Sequence, residues 1–411
     1  MERVVVVGAS LAGLHAAEAL RAGGFEGTLT MVGDEPHLPY DRPPLSKQVL
    51  AGMQTTEETQ LRGGPALDAQ WEHGVGATSL DRSARAVTLA DGRALPYDGL
   101  VIATGAAARR LPGTEGFSNV CELRTAEDAN ILRGLIDRGA RHVTVVGAGF
   151  IGCEVAATCR GRGLDVTIVE PLPAPLARVL GPEVGRVMAD LHEEHGVDVR
   201  LGIGVEGFDG ETVGDGDGDG DGRALCTAVR LADGSVVETD VAVVGIGVVP
   251  NIGWLEGSGL TLDNGVVCDE TTLAAPGVVA AGDVARWPNP TYDGELMRVE
   301  HWEHAINMGV HAGRRLLAGD GPGEPFATVP WFWSDQYDRK IQLAGRVQPD
   351  DEVAVVAGSY AERRFCVLYG RGGQVSAVLA MNMPARVVRY RRQLAEGLGW
   401  ADALAAAAES T

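Results

Sequence analysis

Short runs of apolar, β-branched residues alternate along most of this chain with longer segments of mixed polarity. Two of the runs, Val4–Val7 and His142–Val146, are each followed at once by a glycine and then by a stretch of small and apolar residues. A continuous apolar run bounded by turn residues is typical of a strand buried in a parallel sheet. The pattern therefore predicts two strand–turn–helix units, with helices over Leu11–Ala22 and about Phe150–Arg160. The next strands are predicted over Thr28–Val32 and Asp165–Val169.

A different pattern begins at about Gly321, where apolar and polar residues alternate. Alternation with a period of two predicts strands that are buried on one face, as in an antiparallel sheet. The predicted elements are strands over Lys340–Ala344, Glu352–Ala357, Arg363–Tyr369 and Gln374–Met381, and a helical tail from about Arg386. The fold class is therefore α/β, with two Rossmann-like dinucleotide-binding domains and a C-terminal α+β domain.

The turn after His142–Val146 carries glycines in the spacing G-x-G-x-x-G, at Gly147, Gly149 and Gly152. The first allows the tight turn, the second lets a pyrophosphate approach the backbone, and the third lets helix and strand pack closely. Glu170 ends the next strand, where an acid can bind a ribose 2′-hydroxyl and would repel a 2′-phosphate. No arginine follows in Pro171–Pro173, so we predict NAD rather than NADP. A glycine-rich crossover that binds no nucleotide remains the alternative.

A second turn of this kind follows the first strand of the chain, with one departure from the pattern. Gly8 and Gly13 hold the first and third glycine positions, but Ser10 stands where the middle glycine is expected. Acids again follow the next strand, at Asp34 and Glu35. Two such turns suggest FAD on the first and NAD on the second. A structural repeat with one inactive site is the alternative.

Charge and composition exclude several classes of function. The 411 residues have a formal net charge of −21, which argues against nucleic acid or an anionic membrane as a general partner. No apolar run approaches the roughly eighteen residues of a membrane-spanning helix. The first strand begins directly after Met1, which leaves no room for a signal peptide, and the six cysteines show no metal-like spacing. We expect a cytoplasmic protein with reduced thiols.

Several motifs together resemble one enzyme family, the FAD-dependent ferredoxin reductases of the putidaredoxin reductase and rubredoxin reductase type. The resemblance extends over nearly the whole chain. The segments that carry it are Val32–Glu35, Pro39–Lys47, Leu100–Gly105, Leu123–Asp128, Val244–Asn251, Val279–Asp283 and Pro330–Gln336. It implies a discontinuous FAD-binding domain, 1–113 and 245–320, an NAD-binding domain, 114–244, and a C-terminal interface domain, 321–411.

The resemblance also assigns roles to individual residues. It implies that Lys47 and Glu154 meet near the reactive flavin nitrogen as a catalytic pair. A helix-terminal carboxylate that only stabilises the helix dipole is the alternative for Glu154. The residues predicted to bind FAD are Gly8, Ser10, Ala12, Gly13, Asp34, Glu35, Arg42, Lys47, Ala77, Thr104, Gly105, Arg124, Gly282, Asp283, Glu300, His301 and Trp302. The residues predicted to bind NAD are Gly147, Gly149, Phe150, Ile151, Gly152, Glu154, Glu170, Gly245, Ile246 and Gly247.

Some of these roles have ordinary structural alternatives. Asp283 follows Gly282 at a strand end and is expected to bind the ribityl chain, but aspartate is also common in such turns. Arg124 is equally compatible with a solvated loop arginine. His301, His304 and His311 share one helical face, yet no cysteine or carboxylate cluster accompanies them, so we predict no metal site.

What is missing restricts the reaction. Asp34 to Lys47 contains no cysteine, and Cys153 and Cys159 are six residues apart on a predicted helix, so they face different directions. The flavin is therefore expected to pass its electrons directly to an external acceptor. The resemblance implies a [2Fe–2S] ferredoxin that supplies a cytochrome P450 or another oxygenase. Rubredoxin, a small molecule as in monodehydroascorbate reductase, and a redox-sensing role like that of apoptosis-inducing factor are the alternatives.

Two surface features complete the predictions. The segment from Asp209 to Gly222 alternates aspartate and glycine, which predicts a mobile loop, with calcium binding as an alternative. An acidic ferredoxin would need a basic patch on this acidic protein, and a solvated arginine face is the alternative. The candidate patch residues are Arg314, Arg315, Arg339, Lys340, Arg386, Arg389, Arg391 and Arg392.

Overall fold

A computed structural model describes residues 1–211 and 223–409, except the side chain of Pro65. The chain divides into two compact units. Unit 1 comprises 1–41, 60–107 and 249–332, and unit 2 comprises 42–59, 108–248 and 333–411. Most of the Asp–Gly segment 209–222, with its predicted mobility and calcium alternative, lies outside the described residues, as does the end of the tail at Thr411.

Unit 1 is built on a six-stranded sheet whose centre is the first strand of the chain. Arg3–Val7 pairs in parallel with Thr28–Val32 on one side and with Gly99–Ile102 on the other. In order across the sheet, the strands are Leu273–Ala275, Val278–Ala280, Gly99–Ile102, Arg3–Val7, Thr28–Val32 and Gln70–Glu72. Val4 to Val7 are buried, as a run of β-branched residues in a central parallel strand should be.

Helices and two small sheets complete unit 1. The helices are Leu11–Ala22, Gly63–Ala66 and Trp302–Leu317. One small sheet consists of Ala77–Asp81, Ala86–Leu89 and Ala94–Pro96, and the other of Val266–Val267, Ala285–Asn289 and Glu295–Met297. The first and last helices pack closely, because a Cβ atom on Gly309 would lie 2.4 Å from the Ala12 carbonyl oxygen.

Unit 2 contains a parallel sheet of the same kind and an antiparallel sheet. The parallel sheet has the order Asp198–Leu201, Asp165–Glu170, His142–Val146, Val241–Val244 and Val120–Cys121. Its helices are Ala126–Asp137, Phe150–Gly161 and Ala177–Glu194. A three-stranded sheet beside them consists of Val205–Glu211, Leu225–Leu231 and Val236–Glu238. Two further short strands, Ala106–Ala108 and Val248–Pro250, contain points where the chain passes between the units.

The C-terminal part folds as an antiparallel sheet with two helices, as the alternating pattern predicts. The strand order is Trp331–Gln336, Arg339–Gly345, Gln374–Met381, Arg364–Arg371 and Glu352–Ser359. The helices Pro384–Ala395 and Trp400–Ala408 follow. The strand Trp331–Gln336 was not predicted from the sequence. No helix in residues 1–211 and 223–409 is both long enough and apolar enough to cross a membrane.

Candidate active site

In the glycine turn of unit 2, neighbouring protein atoms exclude a side chain at the first and third glycines but leave space at the middle one. Gly147 has φ +99°, and a Cβ atom there would lie 2.5 Å from the Gly245 carbonyl oxygen. A Cβ atom on Gly152 would lie 2.1 Å from the Gly147 carbonyl oxygen. At Gly149 the nearest atom would be 3.8 Å away, again the Gly245 oxygen. The backbone at Gly149 is therefore accessible to a ligand group.

The residues around this turn are arranged as a dinucleotide site requires. Phe150 and Ile151 begin the helix Phe150–Gly161, whose N-terminal amides favour a pyrophosphate. The Glu170 carboxylate, 9% exposed, accepts a hydrogen bond from the Ala148 amide at 2.7 Å and one from the Leu172 amide at 2.9 Å. From its position at the end of the strand, the Glu170 carboxylate therefore holds the glycine turn in place through the Ala148 amide.

Gly245, Ile246 and Gly247 leave the neighbouring strand beside the same turn. The Gly245 amide donates to the Val146 carbonyl at 2.8 Å, and Gly247 has φ +98°. The structure therefore brings the predicted NAD-binding residues of unit 2 together around one turn.

The turn of unit 1 has the same construction. Gly8 has φ +113°, and a Cβ atom there would lie 2.0 Å from the Ala103 carbonyl oxygen. A Cβ atom on Gly13 would lie 1.9 Å from the Gly8 carbonyl oxygen. Ser10 is the N-cap of the helix Leu11–Ala22, with extended backbone at φ −121°. Serine therefore fits the middle position without strain, since no positive φ is needed there.

Predicted FAD residues from distant parts of the sequence lie near this turn. A Cβ atom on Gly282, which has φ +75°, would lie 2.8 Å from the Ala12 Cβ, so the turn that carries Asp283 packs on the first helix. The Asp34 Cβ would lie 3.3 Å from a Cβ atom on Gly76, the residue before Ala77. Close packing of these backbones explains the small residues at 12, 76 and 282.

Hydrogen bonds hold the polar members of this group. Glu35 accepts a hydrogen bond from the Tyr40 hydroxyl. The Thr104 hydroxyl donates to the backbone carbonyl of Asn251 at 2.8 Å, and the backbone amide of Asn251 donates to the Gly105 carbonyl at 3.0 Å. Asn251 therefore holds the Thr104–Gly105 turn in place.

Arg298 connects two predicted residues and was missed by sequence reasoning. One guanidinium nitrogen donates to the Asp283 carbonyl at 3.0 Å, and another lies 2.7 Å from a Glu300 carboxylate oxygen. His301 is the N-cap residue of the helix Trp302–Leu317, without a capping hydrogen bond from its side chain, and the Trp302 indole N–H donates to Asp41 at 2.8 Å. The alternation of charge in Arg298–Glu300 was the available signal for this pair.

In unit 2, Lys47 and Glu154 form a buried ion pair, as the resemblance implied. Their side chains are 13% and 4% exposed, and Lys47 Nζ lies 2.7 Å from Glu154 Oε2. The Ser46 hydroxyl donates to the same oxygen at 2.6 Å, and the Ser334 hydroxyl donates to Oε1 at 2.7 Å. A buried ion pair requires such additional hydrogen bonds to offset the loss of water. Neither serine was predicted.

Local structure explains how Lys47 reaches Glu154. Pro44 starts a π-helical turn over Leu45–Val49, in which the Val49 amide donates to the Pro44 carbonyl at 3.0 Å. The Thr158 hydroxyl donates to the Ser46 carbonyl at 2.7 Å. Since Glu154 and Thr158 are four residues apart, they lie on one face of the same helix, which positions the segment of Lys47 over Glu154.

The predicted Arg42 and Arg124 also meet within unit 2. An Arg42 guanidinium nitrogen donates to the Arg124 carbonyl at 2.6 Å. Thr125 and Asp128 form a capping box that starts the next helix, Ala126–Asp137, and the Asp128 carboxylate also accepts from the Arg124 amide at 2.9 Å. The backbone of Arg124 is thereby fixed.

The cysteines are not placed for thiol chemistry. All six are free and buried, and burial raises the pKa of each thiol, to about 12 for Cys121, Cys159, Cys268 and Cys366. A thiolate is the reactive form of cysteine, so these thiols are protonated and unreactive at neutral pH.

The histidines of the last helix of unit 1 are packed among aromatic rings. His304 stacks on Trp287 with ring centroids 4.9 Å apart, and His311 lies 5.1 Å from the Phe326 ring. Within residues 1–211 and 223–409, no group of three or more His, Cys, Asp or Glu side chains is arranged to hold a metal ion.

One candidate residue of the predicted basic patch, Arg315, is buried. Arg315 is 8% exposed and donates to the Thr271 hydroxyl at 2.9 Å and to the Gly319 carbonyl at 2.8 Å, so it serves the interior of unit 1. Arg389 and Arg392 on the helix Pro384–Ala395 are exposed.

Each unit thus offers a site that fits one dinucleotide. In each unit the protein excludes a side chain at the first and third glycines of the turn, and an acid stands at or just after the end of the second strand. Unit 1 contains most of the predicted FAD residues, and Arg42, Lys47 and Arg124 fall in unit 2. FAD and NAD would be held by the residues named above, with phosphates at the two helix N-termini.

Comparisons with known proteins cover nearly the whole chain. Residues 2–309 match the family described as pyridine nucleotide-disulphide oxidoreductase, and residues 331–411 match the family described as reductase C-terminal. The chain is 39% identical over 406 residues to rhodocoxin reductase of Rhodococcus erythropolis, covering 95% of this chain and 89% of that protein. It is 37% identical over 405 residues to putidaredoxin reductase of Pseudomonas putida, covering 97% and 92%.

A solved structure is similar over a comparable length. The crystal structure of the covalent putidaredoxin reductase–putidaredoxin complex matches with a TM-score of 0.87 and 36% identity, covering 96% of this chain and 93% of that chain.

Proposed function

The chain belongs to the pyridine nucleotide-disulphide oxidoreductase family over residues 2–309 and to the reductase C-terminal family over residues 331–411, and from this premise we propose that it is an NADH-dependent ferredoxin reductase. It takes electrons from NADH through FAD to a [2Fe–2S] ferredoxin, which supplies a cytochrome P450 or another oxygenase. The family resemblance and the fold class predicted from the sequence are confirmed by these matches.

One observation carries the proposal: the chain contains two glycine turns whose first and third positions exclude a side chain, while the middle position has space at Gly149 in unit 2 and is Ser10, in extended backbone, in unit 1. Two dinucleotides in one protein allow NADH to supply a hydride and FAD to accept it and release the electrons singly. The buried, protonated cysteines favour a reaction without a thiol intermediary.

Lys47 and Glu154 are the proposed catalytic pair beside the flavin. The ammonium of Lys47 is nearly buried, so it acts at low dielectric and its position is fixed by Glu154. A fixed positive charge stabilises negative charge that develops on a reduced ring more strongly than a mobile one. Gly282, Asp283, Glu300, His301 and Trp302 are the proposed contacts of the flavin in unit 1.

The helix Pro384–Ala395 is the proposed docking surface for the acidic ferredoxin. It carries Arg386, Arg389, Arg391 and Arg392 on a protein whose net charge is −21. Reversing the charge of Arg389 and Arg392 should raise the KM for ferredoxin, and more so at low ionic strength. If the turnover of ferredoxin is independent of salt in both the wild type and the variant, this helix is not the docking surface.

The visible spectrum of the purified protein tests the proposed function. The protein should be yellow, NADH should bleach the flavin band faster than NADPH does, and a [2Fe–2S] ferredoxin should restore it. A Lys47→Ala variant should keep its FAD but be reduced by NADH slower by on the order of tenfold or more. A colourless protein that takes up no flavin would contradict the proposal.

The same assay separates the other acceptors. If rubredoxin or a small-molecule radical reoxidises the flavin faster than ferredoxin does, that molecule is the acceptor instead of ferredoxin. Slow reduction with a long-lived charge-transfer band would favour a redox-sensing role. The cytoplasmic location, the three-domain division and the individual binding residues are parts of this proposal and remain predictions.

A further inference from the structure

A line of buried polar side chains leads away from Glu154 into the C-terminal sheet of unit 2. Ser334 donates to Glu154 Oε1 at 2.7 Å, and Gln336 Nε2 donates to the Ser334 hydroxyl at 3.2 Å. Gln336 Oε1 lies 3.1 Å from His192 Nε2, and His192 Nδ1 lies 2.9 Å from the Tyr337 hydroxyl. Ser334, Gln336 and His192 are all fully buried.

The chemistry of the groups fixes the direction of each hydrogen bond. The carboxylate of Glu154 only accepts, so the Ser334 hydroxyl donates to it and accepts from the Gln336 amide group. Gln336 Oε1 only accepts, so His192 carries its proton on Nε2. His192 Nδ1 then accepts from the Tyr337 hydroxyl. Every donor in the series points toward Glu154.

Two further features agree with this direction. Burial lowers the pKa of His192 to about 4, so the ring is neutral and has one donor and one acceptor nitrogen at neutral pH. Burial also raises the pKa of Tyr337, so its hydroxyl keeps the proton that it donates. The series is therefore fully paired, which is the condition under which a buried polar network stabilises one arrangement.

The strand Trp331–Gln336 shows that these polar groups occupy positions normally given to apolar side chains. Phe332, Ser334 and Gln336 face the interior, while Trp331 and Trp333 are half-buried on the other face. Burying hydroxyl and amide groups without partners is costly, and an apolar core would avoid that cost. The two polar residues on the interior face of this strand, Ser334 and Gln336, therefore depend on the hydrogen bonds that link them to Glu154 and His192.

We propose that Ser334, Gln336 and His192 are positioning residues that hold the Glu154 carboxylate, and through it the Lys47 ammonium, in place for hydride transfer from NADH to FAD. This inference rests on the proposed function. It adds that the C-terminal sheet, through its first strand, sets the geometry of the catalytic pair.

Stopped-flow reduction of the flavin-loaded enzyme by NADH tests the proposal. A Ser334→Ala variant removes one of the three donors to Glu154, so the limiting reduction rate should fall by roughly tenfold while the dissociation constant of NADH changes by less than about threefold. A Ser334→Thr variant keeps the hydroxyl and should recover most of the rate.

Ser376 offers a matched control in the same sheet. Its hydroxyl donates at 2.9 Å to Asp351, another buried carboxylate, which is not part of the series. A Ser376→Ala variant should therefore reduce its flavin at the wild-type rate. Equal rates in Ser334→Ala and wild type would overturn the proposal. Equal losses in Ser334→Ala and Ser376→Ala would also overturn it, because they would indicate general damage to the sheet.

Nitrogen-15 NMR of the histidine rings gives a measurement on the wild-type protein that does not depend on activity. His192, assigned by comparison with a His192→Gln variant, should be neutral and protonated on Nε2 at pH 7. A proton on Nδ1 alone would reverse both hydrogen bonds of the ring, a doubly protonated ring would reverse the bond to Tyr337, and either result would overturn the proposal. If NADH fails to reduce the wild-type flavin, the proposed function fails, and the NMR result still decides whether the series has this direction.

Discussion

The glycine turns of the two units differ at one position and agree at the other two. A Cβ atom at the third glycine would lie 1.9 Å from a backbone oxygen at Gly13 and 2.1 Å at Gly152. At the first glycine the corresponding distances are 2.0 Å for Gly8 and 2.5 Å for Gly147. In both units, therefore, the protein itself excludes a side chain at the first and third positions.

The middle position behaves differently. Unit 1 has Ser10 there and unit 2 has Gly149, whose Cβ would approach no atom closer than 3.8 Å. Nothing in the described part of unit 2 thus requires glycine at 149. The comparison teaches that the fold requires the first and third glycines and that it leaves space for a side chain at the middle position of unit 2.

Buried histidines show a similar contrast between the units. In unit 2, both ring nitrogens of His192 have hydrogen-bond partners, Tyr337 and Gln336. In unit 1, neither ring nitrogen of His304 has a partner among the described residues, and the ring stacks on Trp287. His192 therefore stabilises unit 2 through the hydrogen bonds of its ring nitrogens, whereas His304 stabilises unit 1 by stacking its ring on Trp287.

The largest predicted effect tests the positions that the two turns share. Gly13→Ala and Gly152→Ala each place a methyl group about 2 Å from a backbone oxygen, and the main chain must move to admit it. Each variant should lose roughly 3 kcal/mol or more of unfolding free energy. Thermal unfolding of the two variants measures this loss.

Gly161→Ala is the control for this pair. It is the last residue of the helix Phe150–Gly161, whose first turn contains Gly152, and a Cβ atom there would meet nothing within 4 Å. Its melting temperature should equal or exceed that of the wild type, since alanine favours a helix. A Gly152→Ala variant as stable as Gly161→Ala would refute the shared role of the third glycine.

Replacement by phenylalanine at pH 7.5 should reduce the unfolding free energy much more at His192 than at His304. His192→Phe leaves the Tyr337 hydroxyl and the Gln336 amide oxygen without their partner and should cost about 2 to 3 kcal/mol. His304→Phe removes no hydrogen bond within the described residues and keeps a ring on Trp287, so stability should change by less than about 1 kcal/mol. Chemical denaturation of both variants measures the difference, and equal losses would remove the contrast.

The two histidines should both make the stability of the protein depend on pH below 6.5. Burial lowers the pKa of His192 to about 4 and that of His304 to about 3, from an ordinary value of 6.5. The unfolded chain therefore binds more protons than the folded one below pH 6.5, and stability should fall as the pH drops from 6.5 toward 4. Each histidine contributes a slope of at most about 1.4 kcal/mol per pH unit. Titration of stability in His304→Phe should show a slope reduced by one such contribution, and an unchanged slope would contradict this.

Much of the backbone was predictable, because its elements follow apolar periodicity. The predicted strands His142–Val146 and Gln374–Met381 and the helix Leu11–Ala22 have the observed bounds. The strand Trp331–Gln336 was missed for a physical reason. Its interior face carries Ser334 and Gln336 while tryptophans occupy the other face, so the usual alternation is inverted.

The candidate site was predictable where a motif lies within one segment. The glycine turns could be found from the sequence in this way, whereas the pairing of Lys47 with Glu154 was implied only by the family resemblance. His192 could not, because its role depends on partners that only the folded chain brings near. His192 and Gln336 are 144 residues apart. No local pattern records such a contact.

The smallest predicted effect concerns the position at which the two turns differ. Gly149→Ser gives unit 2 the middle residue of unit 1. Stability should be unchanged, because the Cβ has space and serine is a favourable N-cap. The hydroxyl would occupy the space in which a pyrophosphate approaches the backbone, so NADH should bind about tenfold more weakly, while bound FAD is retained. The reverse change, Ser10→Gly, should leave FAD binding at least as tight. Titration with NADH and thermal unfolding of both variants decide the matter: a lower melting temperature for Gly149→Ser would assign the middle glycine to the fold, and unchanged NADH affinity would separate it from the ligand.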